Sequence, residues 1–365
     1  MPSILLVGLG RVGIRTYRYL RELLPGARFM IVDVDKRKLE ALENHEEAEL
    51  YVYEPGILPR LSEKADVAVT ALPSPVAFRT ILELSGHCVN IVDVSFFPQD
   101  PYVLEKIVED CRSTLITDAG FAPGYSNIAA SYAYHKYNLD EYIEIAVGGI
   151  PDKPVPPIGY TVTWNPRDLL EEYTRPARYV ENHEIKVAKP LELVKTIEIP
   201  GLGLFEGFIS DGLRTMLRNI KAKNMREYTI RWPGHINAIK ILYELGFLDS
   251  LEININGVKV KPIEFTARLL EEKLNLKTND LAILRIEAFD QSSRVYRELA
   301  FLRGTSEDPA TPVFTALIHA YTTRILLEKK LKHGVVSPEN LYEFKEEYEE
   351  YLVKHGVVVK KELKH

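Results

Sequence analysis

The sequence predicts an α/β protein: a doubly wound parallel sheet first, then a second α+β domain on a mixed or antiparallel sheet, and finally C-terminal helices that return to the first domain. Three observations predict it. Over the first 120 residues short apolar runs alternate with stretches of helical spacing, from Tyr142 a period of two takes over, and after Gly304 helical spacing comes back. The chain has 365 residues, and at about 150 residues per domain it holds two or three domains. The expected boundaries are 1–120, 121–305 and 306–365.

In chain order, the apolar runs at 4–7, 29–32, 67–71, 89–92 and 114–117 read as buried parallel strands, and 11–24, 36–44, 75–85 and 101–111 as the crossover helices. Between Asp33 and Val67, acid-rich Glu43 to Glu49 and Tyr51-Val52-Tyr53 stand in place of an obvious third strand. In the second region, Ile143, Ile145 and Val147, then Tyr160, Val162 and Trp164, then Tyr228, Ile230 and Trp232 alternate as half-buried strands do. Asn256-Gly257 between two alternating runs predicts a tight hairpin, since both turn positions need positive φ. A second hairpin is expected where 281–289 meets 295–302, with helices at 211–220, 233–245 and 262–274. The proline-rich segment 152–159 reads as a stiff connector. Helices then follow at 311–331 and 337–353, the latter with Ser337 as N-cap and Pro338 at its first position.

Composition excludes several classes. The net charge of −6 is too acidic for a nucleic-acid binder. No run of eighteen apolar residues and no signal-like stretch occurs, so neither a membrane partner nor export is expected and the predicted location is cytoplasmic. Cys88 and Cys111 are the only cysteines; two thiols supply neither a secreted disulfide framework nor a zinc site, so both are expected to be reduced and structural, with no metal bound. Few Gln, Cys and Met with many Glu and Lys lean toward a heat-adapted protein. The Tyr and Phe stock reads as core and contact surface, and His319, amid Leu317, Ile318 and Ala320, as a packing histidine.

The sharpest motif is Gly8-Leu9-Gly10-Arg11-Val12-Gly13, which follows an apolar strand and opens a helix. Gly8 permits the turn, Gly10 removes the side chain where a pyrophosphate approaches, Gly13 lets the helix lie close to the sheet, and the amides at Arg11 and Val12 face the phosphates. Asp33 ends the second strand twenty residues beyond Gly13, where a carboxylate accepts hydrogen bonds from the ribose hydroxyls and repels a 2′-phosphate. The motif therefore predicts a Rossmann domain that binds NAD in preference to NADP, with Lys36, Arg37 and Lys38 close enough to soften that preference. Leu72 and Pro73, at the end of another strand, are expected to border the cofactor.

Asp93, Ser95 and Asp118 also follow strands of this domain, at the edge where a nicotinamide would lie. The segments Asp118 to Asn127 (DAGFAPGYSN), Gly148-Gly149-Ile150-Pro151, Tyr160 to Pro166 (YTVTWNP), Glu172-Tyr173-Thr174-Arg175-Pro176, Ser210-Asp211-Gly212-Leu213 and Arg231-Trp232-Pro233-Gly234-His235 together resemble the saccharopine dehydrogenase-like family. Within it they are most similar to the archaeal and bacterial L-lysine 6-dehydrogenase branch. The resemblance runs from Gly8 to about Pro338, with departures in the short stretch from Asp33 to Val67 and around Gly304 to Pro312. It implies a homo-oligomer whose second domain serves substrate binding and subunit contacts. The implied reaction is oxidative deamination of the lysine side chain, in which NAD takes hydride from Cε, the imine is hydrolysed and ammonia leaves.

Such a reaction needs a neutral amine and a base. Asp118, Asp93 and His235 are the candidates, Asp118 foremost because it follows a strand beside the expected nicotinamide. A substrate carboxylate calls for a guanidinium fork, from Arg231 first and Arg175 second. Asp211 or Glu172 would hold an α-ammonium, and Ser95 stands at the same edge as Asp93. The rival within enzymes is a saccharopine dehydrogenase, which needs more cations and has Arg167, Arg178 and Arg214 to draw on. The rival outside them is a nucleotide-sensing regulator without catalysis. Replacing Asp33 by serine, with an arginine placed beside it, is expected to move preference toward NADP; unchanged NAD affinity in that double variant removes Asp33 from the cofactor site.

Overall fold

Seven strands of the first sheet run parallel in the order Gly334–Val336, Thr114–Ile116, Asn90–Asp93, Val67–Thr70, Ser3–Val7, Arg28–Asp33, Ala48–Val52. From Ser3–Val7 the chain works outward through Arg28–Asp33 and Ala48–Val52, then crosses back to Val67–Thr70 and works outward the other way. The order therefore reverses between Ser3–Val7 and Val67–Thr70, and their carboxyl ends, with Val7 opposite Thr70, flank the crevice where open α/β sheets take ligands. The structure is a computed structural model; it describes residues 1–42, 48–162, 166–274, 276–291 and 293–364. These fall into two compact units, Met1–Ile128 with Pro312–Leu352 and Ala129–Thr311 with Val353–His365.

The central strands are buried on both faces, with Ile4, Leu5, Leu6, Ile31, Val32, Val67, Ala68 and Val69 all inaccessible, which is why their sequence reads as continuous apolar runs. Ala48–Val52 corrects the expectation that no third strand is evident. It pairs with Arg28–Asp33 from Phe29–Ala48 to Asp33–Val52, but as an edge strand it is only half buried, so it shows no apolar run. The helix Ala310–Glu328 carries His319 into this unit. Its Nε2 lies 3.1 Å from the Val92 carbonyl and its Nδ1 3.2 Å from Thr16 Oγ1. Since a carbonyl only accepts, Nε2 carries the proton and Nδ1 accepts from the threonine. Burial pushes this histidine down to about 4, so it is a neutral packing group, as expected. Ser337 caps the next helical segment through a capping box with Asn340.

Cys88 and Cys111 are joined in a disulfide, which corrects the expectation of two reduced thiols. Each sits in the turn leading into one of two neighbouring strands, Asn90–Asp93 and Thr114–Ile116. Pairing of those strands sets the two turns side by side.

The second unit holds a nine-stranded sheet among the described residues, with the path Val194–Ile199, Gly203–Ile209, Asn224–Arg231, Tyr142–Pro151, Asp280–Asp290, Ser293–Gly304, Val358–Leu363 and with Ala177–Glu181 and Glu184–Ala188 paired off Asn224–Arg231. Asn224–Arg231 and Tyr142–Pro151 run parallel and the other pairs antiparallel. Both predicted hairpins form, the first with Asn256 and Gly257 at φ 51° and 87°. The glycines of Gly148-Gly149 are there for packing. A methyl on Gly148 would meet Ile230 at 2.6 Å and one on Gly149 would meet Thr311 Oγ1 at 2.2 Å.

Three expectations fail here. Tyr160 and Val162 are buried but form no ladder, since their alternation serves a packed irregular segment; Trp164 lies outside the described residues. The helix expected at 211–220 shrinks to Met216–Asn219, because Ser210 to Thr215 is a loop that presents side chains inward. Finally, the chain end expected among helices of the first unit forms the strand Val358–Leu363 against Ser293–Gly304. Among the described residues no helix is long and apolar enough to cross a membrane, and no group of three His, Cys, Asp or Glu side chains is placed to hold a metal. The disulfide closes a 23-residue separation, for which loop-closure entropy gives roughly 3 kcal/mol. The Cys88→Ser/Cys111→Ser double variant should melt measurably below the wild type by calorimetry, and strong reductant should lower the wild-type transition while leaving the variant unmoved.

Candidate active site

The glycine loop begins where Gly8, at φ 100°, donates its N–H to the Val32 carbonyl at 2.8 Å. Ala71 at the next strand end presses so close that a methyl on Gly8 would lie 2.5 Å from its carbonyl oxygen, and one on Gly13 would lie 1.9 Å from the Gly8 oxygen. Gly10 differs: a methyl there would meet nothing within 4 Å. Two glycines thus serve close packing and the third leaves open space beside the N-terminus of Gly13–Leu23, a cradle that a pyrophosphate fits. Arg11 is exposed and Val12 half-buried at its rim. Asp33 is nearly buried; its Oδ2 accepts from the Leu9 N–H at 2.6 Å and its Oδ1 from the Asp35 N–H at 2.8 Å. With one bond on Oδ1 and two on Oδ2, the second a long one from Lys38, the carboxylate keeps capacity for a ribose. Lys38 Nζ stands 3.5 Å from Oδ2, while Lys36 pairs with Glu40 and Arg37 with Asp35. Leu72 packs 3.1 Å from where a Gly8 methyl would be, and Pro73 is exposed as the cap residue of Ser74–Ser85. Among the described residues this loop, Asp33 and Leu72 therefore suit a nicotinamide dinucleotide.

On the same carboxyl edge Asp93 is fully buried. Its Oδ1 accepts from Thr70 Oγ1 at 2.6 Å and Ser95 Oγ at 2.9 Å, and its Oδ2 from the Ser95 N–H at 2.9 Å. Ser95 Oγ in turn accepts from the Leu72 N–H at 3.2 Å. Burial pushes the Asp93 carboxyl up to about 7, against the hydrogen bonds from Thr70 and Ser95 and with help from the negative charge of Asp118. Asp118 itself is buried at φ 54°. The loop after it doubles back tightly: a methyl on Gly124, at φ 134°, would lie 2.0 Å from the Gly120 oxygen and 2.6 Å from that of Asp118. Asn127 Oδ1 closes the loop by accepting from the Gly124 N–H at 3.0 Å and Ser126 Oγ at 2.9 Å. Asp93, Ser95, Asp118, Leu72 and the glycine loop thus gather at one sheet edge. Thr70, which the sequence reading missed, sits in register with Asp93 on the neighbouring strand.

The second unit gives Arg231 and His235 different roles from those expected. Arg231 is 2% exposed. Its guanidinium donates to Glu172 Oε2 at 2.7 Å, the Tyr173 hydroxyl at 3.0 Å and the Ile230 carbonyl at 2.9 Å, and lies over the Tyr160 ring at 4.9 Å. The fork assigned to a substrate carboxylate holds protein groups instead. The Tyr173 hydroxyl is 2.8 Å from His235 Nε2, and His235 Nδ1 is 2.8 Å from the Ile158 carbonyl. The donors run one way: Arg231 to Tyr173, Tyr173 to His235, His235 to Ile158. Burial, with the neighbouring Arg231 charge, pushes His235 down to about 3, so it is a neutral link in a structural chain and not a poised base. Glu172, expected as an ammonium site, is the counter-ion of this chain.

Asp211 likewise neither caps a helix nor stands open. It holds Arg178 at 2.9 and 2.8 Å and accepts the Arg178 N–H at 3.0 Å. Arg175 pairs with Glu171 at 3.2 Å. Tyr173 and Glu227 were missed. Tyr173 hides within a segment that reads as an ordinary helix end, and Glu227 lies on the face of Asn224–Arg231 opposite the Tyr228 and Ile230 that revealed the strand.

The chain is similar to known dehydrogenases along its length. It is 21% identical over 343 residues to the NADP(+)-dependent, L-glutamate-forming saccharopine dehydrogenase of Schizosaccharomyces pombe, covering 86% of this chain and 74% of that protein. It is 24% identical over 176 residues to carboxyaminopropylagmatine dehydrogenase of a Synechocystis species, covering 47% of this chain and 43% of the relative, less than half the relative's own length. Mitochondrial alpha-aminoadipic semialdehyde synthase of Rattus norvegicus is 25% identical over 210 residues, 53% of this chain and 22% of that protein. The apo saccharopine dehydrogenase (L-Glu forming) of Saccharomyces cerevisiae shares the fold, with a TM-score of 0.79 over 100% of both chains at 15% identity. Residues 120–357, well over half of the sequence, match the family model of the saccharopine dehydrogenase C-terminal domain, and with the dinucleotide-type sheet edge that precedes them they make this chain a member of the saccharopine dehydrogenase family of oxidoreductases.

Proposed function

We propose that the chain is a nicotinamide-dinucleotide-dependent dehydrogenase that oxidises a carbon–nitrogen bond of an amino acid, with L-lysine as substrate and NAD preferred. The observation that carries the reading is the carboxyl edge itself, where a glycine cradle, Asp33 and the buried Asp93 beside Ser95 and Asp118 meet in a member of this family. A bound nicotinamide would supply the hydride acceptor. The protein must supply a neutral amine. A free lysine ammonium has a pKa of about 10.4, so neutrality at pH 7 costs on the order of 4.6 kcal/mol. Asp93 is suited to take the amine proton because it is already balanced between its two states near neutrality. Thr70 and Ser95 then hold the ionised or protonated carboxyl in one place. Loss of hydride from Cε leaves an imine on the substrate, and water attacks it to give the aldehyde and ammonia.

A one-carboxylate substrate is supported by four arginines of the second unit that the protein's own acids already take up. Arg178 is held by Asp211, Arg231 by Glu172, Arg175 by Glu171, and Arg167 by Glu171 and Glu264. A second reading, oxidation of a secondary amine such as saccharopine, is supported by the names of the relatives. Following reduced nicotinamide by absorbance with a panel of amino acids separates the two: turnover with lysine and not saccharopine supports the first, the reverse supports the second, and binding of NAD with no turnover overturns both.

With the base on Asp93 the pH profile has a definite sign. The carboxyl holds its proton below about 7, so kcat/KM should rise with pH through that value. Asp93→Asn should abolish this limb and lower kcat by roughly 100- to 10,000-fold. Thr70→Val removes a hydrogen bond that favours the charged form and should move the limb to higher pH. A limb that survives unchanged in Asp93→Asn assigns the base to another group. The same raised carboxyl contributes stability that is lost as pH rises through about 7, the opposite of a salt-bridged aspartate.

A further inference from the structure

Glu227 is 3% exposed on the strand Asn224–Arg231. One carboxyl oxygen accepts from Ser210 Oγ at 3.3 Å, and the other is buried with no hydrogen-bond partner. The loop beside it bears glycine at position 212, where a methyl would fall 1.7 Å from one carboxyl oxygen and 2.2 Å from the other. The glycine is therefore needed for space: the carboxyl lies flat on the bare Cα. Two other carboxylates stand near, and each has its own arginine, Asp211 with Arg178 and Glu172 with Arg231. Among the described residues Glu227 is the member of this trio with no cation paired to it.

An uncompensated buried carboxylate is costly, so the group holds a proton or accepts a cation. Burial pushes its carboxyl up to about 8, against the Ser210 hydrogen bond and with the negative charges of Asp211 and Glu172 adding to the rise. What displaces that proton must bring positive charge and N–H donors for the unpartnered oxygen, which describes an alkylammonium group. On the reading above, that an amino acid is the substrate, we infer that Glu227, its carboxyl seated on the bare Cα of Gly212, receives an ammonium group of that substrate on its unpartnered oxygen. The step balances as a protonated carboxyl and an ammonium ion giving an ion pair and one released proton.

The proton is the readout. Titrating L-lysine, and separately n-pentylammonium, into the NADH-loaded protein, which cannot accept a hydride, at pH 7 in buffers of different ionisation enthalpy should show release of close to one proton per site, since Glu227 is mostly protonated there. Glu227→Gln imitates the neutral acid in shape and charge, so it should fold as the wild type does. It should release no proton, and it should raise the lysine KM roughly 10- to 100-fold with the NAD KM unchanged. Gly212→Ala, which forces the carboxyl aside, should weaken lysine binding in the same way. Unchanged lysine KM and unchanged proton release in Glu227→Gln would overturn the inference while leaving lysine oxidation standing. If the wild type oxidises no amino acid, the functional reading falls, and Glu227 is judged on n-pentylammonium alone: proton release that Glu227→Gln abolishes upholds the ammonium site, and none refutes it.

Discussion

A charge taken out of water costs several kcal/mol unless a partner or a proton offsets it, and that cost sorts the polar residues of this chain. Arg231, buried to 2%, is offset by Glu172 and steadied by Tyr173, and from that pair the donor chain passes to His235 and the Ile158 carbonyl. Asp211 is offset by Arg178. Among the described residues Asp93 and Glu227 have no arginine paired to them and are left to hold protons near neutrality. Groups settled by a permanent partner hold the fold, and groups settled only by a proton remain available for exchange.

This distinction explains which parts of the site were legible in the sequence. Gly8, Gly10, Gly13 and Asp33 are read from local spacing, because a strand, a turn and a helix start are consecutive in the chain and each glycine answers to a nearby backbone. The hairpin at Asn256-Gly257 is legible for the same reason. Asp93, Ser95 and Asp118 could be placed at the sheet edge, since each follows a strand. The fates of Arg231, His235 and Asp211 were not legible. Their partners Glu172, Tyr173 and Arg178 lie 33 to 62 residues away, and no periodicity records a pairing across that distance. Glu227 escaped because one acid on a well-patterned strand looks like a solvated face until the strand is seen to be buried on both sides.

The same limit governed the fold. Central parallel strands announce themselves as apolar runs because both faces are covered. The edge strand Ala48–Val52 is only half buried and the final strand Val358–Leu363 mostly exposed, and both carry too little apolar pattern to be seen. The disulfide is another consequence of topology: Cys88 and Cys111 look unrelated until Asn90–Asp93 and Thr114–Ile116 pair. The sequence contained the strands, but the adjacency came from the sheet order.

Charge balance, more than fold, separates the two substrates that this family scaffold suggests. Saccharopine brings three carboxylates to two amines and is net negative at neutral pH, so its site needs surplus cations. Lysine brings one carboxylate and two ammonium groups and is net positive, so its site needs a surplus acid. In the second unit Arg167, Arg175, Arg178 and Arg231 are each matched by the protein's own acids, and Glu227 is a carboxyl left over. Either substrate must desolvate its charges on binding, and an ammonium group that arrives at Glu227 relieves the burial of that carboxyl as well as its own.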